Sequence, residues 1–141
     1  MKTRRLSTSQ TIEFDSEELV HTLAQKLCDK HAKDIHILDL RGLTDIADFF
    51  IVASATSKIH LKALSEDLLE IFDELGIKNY HLEGLRALQW VLADLYSIII
   101  HLFLPETREF YDIEGYWGDA PVEILEESVE DAGESAEDVE E

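Results

Sequence analysis

The run Asp48-Phe49-Phe50-Ile51-Val52-Ala53 is apolar almost throughout. A strand with large apolar side chains at both odd and even positions has no face to offer water. It must sit in the middle of a sheet with other material packed on both sides. The chain is therefore expected to fold in layers, and the flanking sequence must supply them.

It does so by alternating helix and strand patterns. Asp15-Ser16-Glu17-Glu18 reads as a helix start, with Glu18 at capping-box spacing from Asp15. Leu19, Leu23, Ala24 and Leu27 continue at helical spacing, which predicts one helix to about His31. Asp34 to Leu40 shortens to a strand, and Arg41-Gly42 breaks it before the central run. Ser57 is a good cap for a second helix with the stripe Leu61, Leu64, Leu68, Ile71, Phe72 and Leu75, and Gly76 stands at its C-terminal stop. A short strand at about Ile77 to Leu82 is expected next. Leu88 to Leu95 and Ile98 to Leu104 then form a tight antiparallel hairpin around Tyr96-Ser97. Pro105 opens a last short helix through Tyr111. The predicted fold class is α/β, a mixed sheet with helices packed on it.

Charge limits the partners. The 141-residue chain carries a net charge of −19. Phosphate backbones repel such a surface, so direct nucleic-acid readout is not expected, whereas a basic protein is favoured at encounter. From Val122 onward half the residues are Asp or Glu and none is Lys or Arg. Residues 122–141 are therefore expected to be a disordered acidic tail, 15–121 the domain, and 1–14 a polar, flexible N-terminus. Cys28 is the single cysteine, so no intrachain disulfide framework forms; it is expected to be a buried, inert thiol in a reducing compartment. No apolar signal core follows the basic Met1–Ser7 start, and no apolar run approaches the ~20 residues needed to cross a bilayer. A cytoplasmic location without membrane contact follows as the simplest reading, with an organelle transit segment left open.

Chemistry is sparse. The chain has no glycine-rich phosphate loop and no metal-type Cys/His spacing. The turn Ala53 to Lys58 suits a self-capping helix start better than a phosphate site, since the glycines that admit a phosphate are missing. His81 and His101 both lie beside the predicted hairpin, but no further ligand is grouped with them. Asp39, Asp45 and Asp48 are the alternative, a magnesium site of a nucleotidyl-transferring enzyme, a chemistry that asks for several oxygen ligands. No metal, cofactor or catalytic residue is expected. Glu83-Gly84 followed by Trp90 is more distinctive. On a strand, Leu88, Trp90, Leu92 and Asp94 share one face. Trp90 is then either a core residue with Asp94 in solvent, or an aromatic anchor with charged neighbours, the make-up of an interface hot spot.

Several segments together resemble the Iojap, or ribosomal silencing factor, family: Lys33 to Arg41; Thr44 to Ser54 with Ser57; Glu83-Gly84 with Trp90 to Asp94; and His101-Leu102-Phe103 followed by Arg108 to Glu114 and Trp117 to Ala120. Together they cover about residues 16 to 120. The resemblance implies a nucleotidyltransferase-like architecture without the catalytic residues. It implies binding to the large ribosomal subunit through its protein number fourteen, exclusion of the small subunit and repression of translation. It also implies a role in large-subunit assembly for some members, and homodimers when free. Its contact region falls on Glu83, Gly84, Trp90, Asp94, Leu95 and Tyr96. Three departures stand out: Ala55 where the family has Gly, Tyr96-Ser97 in place of a Gly-Asp turn, and Gly115-Tyr116 before Trp117. The long acidic tail is not a general family feature. Two other readings remain, a large-subunit assembly factor or adaptor for another basic protein, and the metal-dependent nucleotidyltransferase-like enzyme.

Overall fold

The computed structural model describes residues 15–126. The elements run α1 (Ser16–Asp29), β1 (Lys33–Asp39), β2 (Phe49–Ser54), α2 (Lys58–Leu75), β3 (His81–Glu83), β4 (Trp90–Asp94), β5 (Ile98–Phe103), α3 (Pro105–Tyr111), α4 (Ile113–Tyr116) and β6 (Val122–Ile124). Six strands form one mixed sheet in the order β3-β4-β5-β2-β1-β6. β2 and β5 are parallel, and every other neighbouring pair is antiparallel.

The apolar run is the sheet's middle, as its pattern requires. Every residue of β2 and of its neighbour β5 is buried. Phe49, Ile51 and Ala53 of β2, with Ile98, Ile100 and Leu102 of β5, join Leu23, Leu27, Leu64, Leu68 and Phe72 of the two long helices in one core. Their alternates Phe50, Val52, Ile99 and Phe103 face the other way and join Leu38, Leu40 and Ala120, with Trp117 and Ile113 packed against them. One face of the sheet is thus covered by α1 and α2, and the opposite face by the short α3–α4 segment.

The second helix has the ends its sequence specifies. Ser57 Oγ accepts the His60 N–H, and Gly76 closes the helix in the left-handed conformation at φ +74°. The first helix differs at its N-terminus: Asp15 stands at the cap position, but its side chain makes no capping hydrogen bond. The predicted capping box is therefore not formed. Leu88 also departs from expectation. It lies outside β4 with φ +54°, donates its N–H to the Gly84 carbonyl, and packs toward the helical core. It does not share the face of Trp90.

The tail boundary needs correction as well. Val122–Ile124 is not disordered but forms β6, pairing antiparallel with β1 through His36↔Ile124 and Leu38↔Val122. Leu125 continues the attachment by donating to the Ile35 carbonyl, and Asp39 donates to Pro121. An acidic composition does not stop Val122, Ile124 and Leu125 from satisfying the open edge of β1. The rest of the predicted tail, from Glu127, and residues 1–14 lie outside the described residues. A chain ended after Pro121 should melt about 5–10 °C below one ended after Glu126, because it loses several edge hydrogen bonds worth roughly 2 kcal/mol together. Equal thermal midpoints for the two truncations would show that β6 adds nothing to the domain.

Candidate functional site

Period-two geometry places three of the six candidate residues together. β4 alternates buried Val91 and Ala93 with half-buried Trp90, Leu92 and Asp94. Across the β3–β4 ladder, Glu83 pairs with Leu92 and His81 with Asp94. Glu83, Trp90 and Asp94 therefore share the sheet face opposite α1 and α2. The Glu83 carboxylate is in hydrogen-bond contact with His81 Nε2 at 2.9 Å, and both side chains are exposed.

Gly84 serves the backbone. It sits at φ +91°, and a Cβ there would lie 1.9 Å from the Trp90 carbonyl oxygen. Only glycine lets the chain leave β3 this close to the start of β4. Leu95 leans the other way and packs against the helical core. Tyr96, 76% exposed, stands at the hairpin tip. Its φ of +76° is one that two-residue hairpins of this sense favour for glycine. Asp94 accounts for the departure, since its Oδ1 accepts the Tyr96 N–H at 2.8 Å and fixes the turn locally.

Trp90 is neither plain core nor plain surface. Its ring stacks on Phe103 at 4.9 Å and meets Tyr111 at 4.8 Å between centroids. Its Nε1–H donates to His101 Nδ1 at 3.1 Å. That bond sets the tautomer: Nδ1 must be unprotonated, so the proton of neutral His101 is on Nε2. Nε2 is buried with no hydrogen-bond partner among the described residues, and the ring meets Phe50 edge-on at 4.6 Å. Burial pushes the His101 pKa down to about 4.

A second polar group holds α3 and α4 to the sheet. Arg108 donates Nε and Nη2 to the two Glu114 carboxylate oxygens at 2.9 and 3.0 Å. Its Nη1 donates to Ser54 Oγ and to the Asp34 carbonyl, each at 2.8 Å. His36 Nδ1 contacts Glu114 Oε2, the oxygen that also accepts from Arg108 Nη2. Burial acts to raise the Glu114 pKa, but Arg108 and His36 together hold it below the ordinary glutamate value. These residues line an open cleft of about 380 Å³ with Pro105, Glu109 and Asp112. Gly115 has a local reason too: Asp112 Oδ1 accepts its N–H at 3.1 Å, and a Cβ at Gly115 would lie 2.2 Å from that carboxylate.

The remaining sequence candidates do not assemble. Asp39 is taken by Arg41, whose Nε and Nη2 donate at 2.9 and 2.7 Å, and those bonds lower its pKa. Asp48 donates its backbone N–H to Ser97. Among the described residues, no three or more His, Cys, Asp or Glu side chains gather as a metal site. His81 and His101 have separate partners. The Ala53 to Lys58 turn satisfies itself, since Thr56 N–H donates to His60 Nδ1 and Ser57 caps the helix. Cys28 is buried. No helix among the described residues is long and apolar enough to cross a membrane.

Sequence reasoning did not find His101, Phe50, Tyr111 or the Arg108 hold as parts of this face. The period-two reading that places Trp90 also applies to β5, where it puts His101 beside Phe103. Nothing local in the sequence signals the link from Arg108 to Ser54 or Asp34.

Fold and face define a small α/β domain that presents aromatic and acidic side chains on one side of a mixed sheet. The profile of the family described as "Ribosomal silencing factor during starvation" matches residues 13–141. The ribosomal silencing factor RsfS of Halalkalibacterium halodurans is 34% identical over 113 residues, 80% of this chain and 97% of that one. The mouse protein named mitochondrial assembly of ribosomal large subunit protein 1 is 35% identical over 107 residues, 74% of this chain and 45% of its own length. A crystal structure of a Chromobacterium violaceum protein superposes with a TM-score of 0.71 at 33% identity, covering 74% of this chain and 88% of that one. The chain belongs to the ribosomal silencing factor family.

Two outcomes follow from the geometry. Gly84→Ala should cost at least about 3 kcal/mol of stability, because strain at positive φ adds to a backbone collision; an unchanged denaturation midpoint would contradict the close approach. His101, with its folded pKa below the unfolded value near 6.5, contributes stability in full above pH 6.5 and loses it as pH falls toward 4. Its ring carbon and proton resonances should keep the neutral, Nε2-protonated pattern down to pH 5. A midpoint near 6.5 by NMR would show that the His101 ring is not buried in this face.

Proposed function

We propose that this protein binds the large ribosomal subunit through its protein number fourteen and blocks joining of the small subunit, so repressing translation. The observation that carries the reading is the common face of Glu83, Trp90 and Asp94, with the exposed ring of Tyr96 at the adjoining hairpin tip, on a chain of net charge −19. A basic ribosomal protein would meet the carboxylates, while the aromatic rings supply apolar contact area. Gly84 and Leu95 act from behind by fixing the backbone of β4 and the hairpin. Silencing here is occupation of a surface, with no chemical step. Against the nucleotidyl-transfer alternative stands the engagement of Asp39, one of its three carboxylates, by Arg41. The protein acts in the cytoplasm and forms a homodimer when free.

A role in assembling the large subunit is the second reading, supported by the name of the mouse relative. Both readings share one binding event and differ in when it occurs.

Sedimentation with separated ribosomal subunits tests the proposal. The protein should travel with the large subunit and not the small one, and should lower the yield of joined ribosomes. Tyr96→Gly is the informative variant, since it removes an exposed ring and relieves a left-handed non-glycine residue. It should melt within a few degrees of the parent and bind about tenfold or more weakly. Binding to neither subunit, or full binding by the variant, would remove the proposed face from the function.

A further inference from the structure

Helix α3 is inside out. A short surface helix ordinarily turns apolar side chains to the core and charge to water. In α3 no residue is fully buried, Arg108 points inward to Glu114, Ser54 and Asp34, and Phe110 is 78% exposed. Tyr116 of α4 is 80% exposed and Tyr111 is 52% exposed. Large exposed rings on so short a segment mark interaction surfaces rather than ordinary solvent-facing positions.

The exposed rings are the two ends of one aromatic row. Phe110 meets Tyr111 at 5.0 Å, and Tyr111 meets Trp90 at 4.8 Å. The row crosses β5 and β2 beneath α4 and emerges where Trp117 meets Tyr116 at 5.1 Å. The charge carried by the α3–α4 segment is one-sided. Arg108 is the only Lys or Arg after Arg86, and it is committed inward. Glu106, Glu109, Asp112 and Asp119 are exposed in the same segment as the rings.

We infer that α3 and α4 form a second half of the docking face, in which Phe110 and Tyr116 receive a lysine- and arginine-rich protein surface. The inference rests on the function proposed above and extends its face beyond the hairpin. Exposed aromatic faces attract guanidinium and ammonium groups, and neighbouring carboxylates add to that attraction. The same carboxylates repel phosphate, which disfavours RNA and anionic lipid as occupants. The inward Arg108 has a purpose on this account: it holds the helix without using the rings as its anchor.

The test compares full chains for affinity to purified large subunits, using the parent, Phe110→Ala with Tyr116→Ala, Glu109→Lys, and Tyr96→Gly. The double variant should bind at least about tenfold more weakly with an unchanged melt, since both rings are exposed, and Glu109→Lys should weaken binding most at low salt. Parental affinity in the double variant, alongside loss in Tyr96→Gly, overturns the extension and leaves the hairpin face standing. Failure of the parent itself to bind the large subunit overturns the functional reading and the extension with it. Sedimentation equilibrium supplies the remaining arm. Loss of self-association in the double variant with subunit binding intact would assign the rings to a second copy of this chain and overturn the proposal.

Discussion

A strand buried on both faces is the constraint from which the other features follow. β2 offers water nothing, and its parallel partner β5 offers nothing either. Both sides of this pair must therefore be roofed. α1 and α2 are long enough to roof one side. The opposite side receives only α3 and α4, eleven residues in two short helices. That cover reaches the middle strands and stops, so β4 and β3 keep a partly open face. The candidate site is where the second roof runs out.

A roof this small cannot be held by apolar area alone. α3 buries no residue fully, and its attachment comes from the bidentate Arg108–Glu114 pair, the Ser54 and Asp34 acceptors, and the His36 contact. Burying such an ion pair offsets much of its own attraction through desolvation, so its net worth to stability is modest. Its geometry is another matter. A planar guanidinium whose three nitrogens are all engaged, by Glu114, Ser54 and Asp34, fixes the orientation of α3. That orientation turns Phe110 outward and sets Tyr111 against Trp90.

What could be read from the sequence divides along the same line. Local signals succeeded: Ser57 and Gly76 bound α2, the unbroken apolar run is β2, and the period of two puts Trp90 and Asp94 on one face. Failures came where a distant partner decides. Val122 to Ile124 resemble the acidic stretch that follows them, and only the unfilled edge of β1 makes them a strand. Leu88 fits a strand pattern, but the close passage of Gly84 by Trp90 forces the chain into a left-handed turn there. Asp15 has the spacing of a capping box without the hydrogen bond. Of the candidate face, the shared side of Trp90 and Asp94 is legible from the period of two, and Glu83 joins it through the β3–β4 register. Arg108 is not legible, because its partners Ser54 and Asp34 lie 54 and 74 residues away.

Trp90 shows why the choice between core and anchor was too narrow. An anchor that moves freely loses rotamer entropy on binding, which subtracts from affinity. Trp90 has little left to lose: Phe103 supports its ring, Tyr111 flanks it, and His101 takes its N–H. The histidine can accept that bond only while neutral, and burial keeps it so. The buried Nε2 donor, without a hydrogen-bond partner among the described residues, is then the cost of the arrangement. Stability is given up at one atom, and the indole beside the open carboxylates is held in a single orientation. A face organised in this way suits recognition of another surface, since its aromatic part is ordered before any partner arrives.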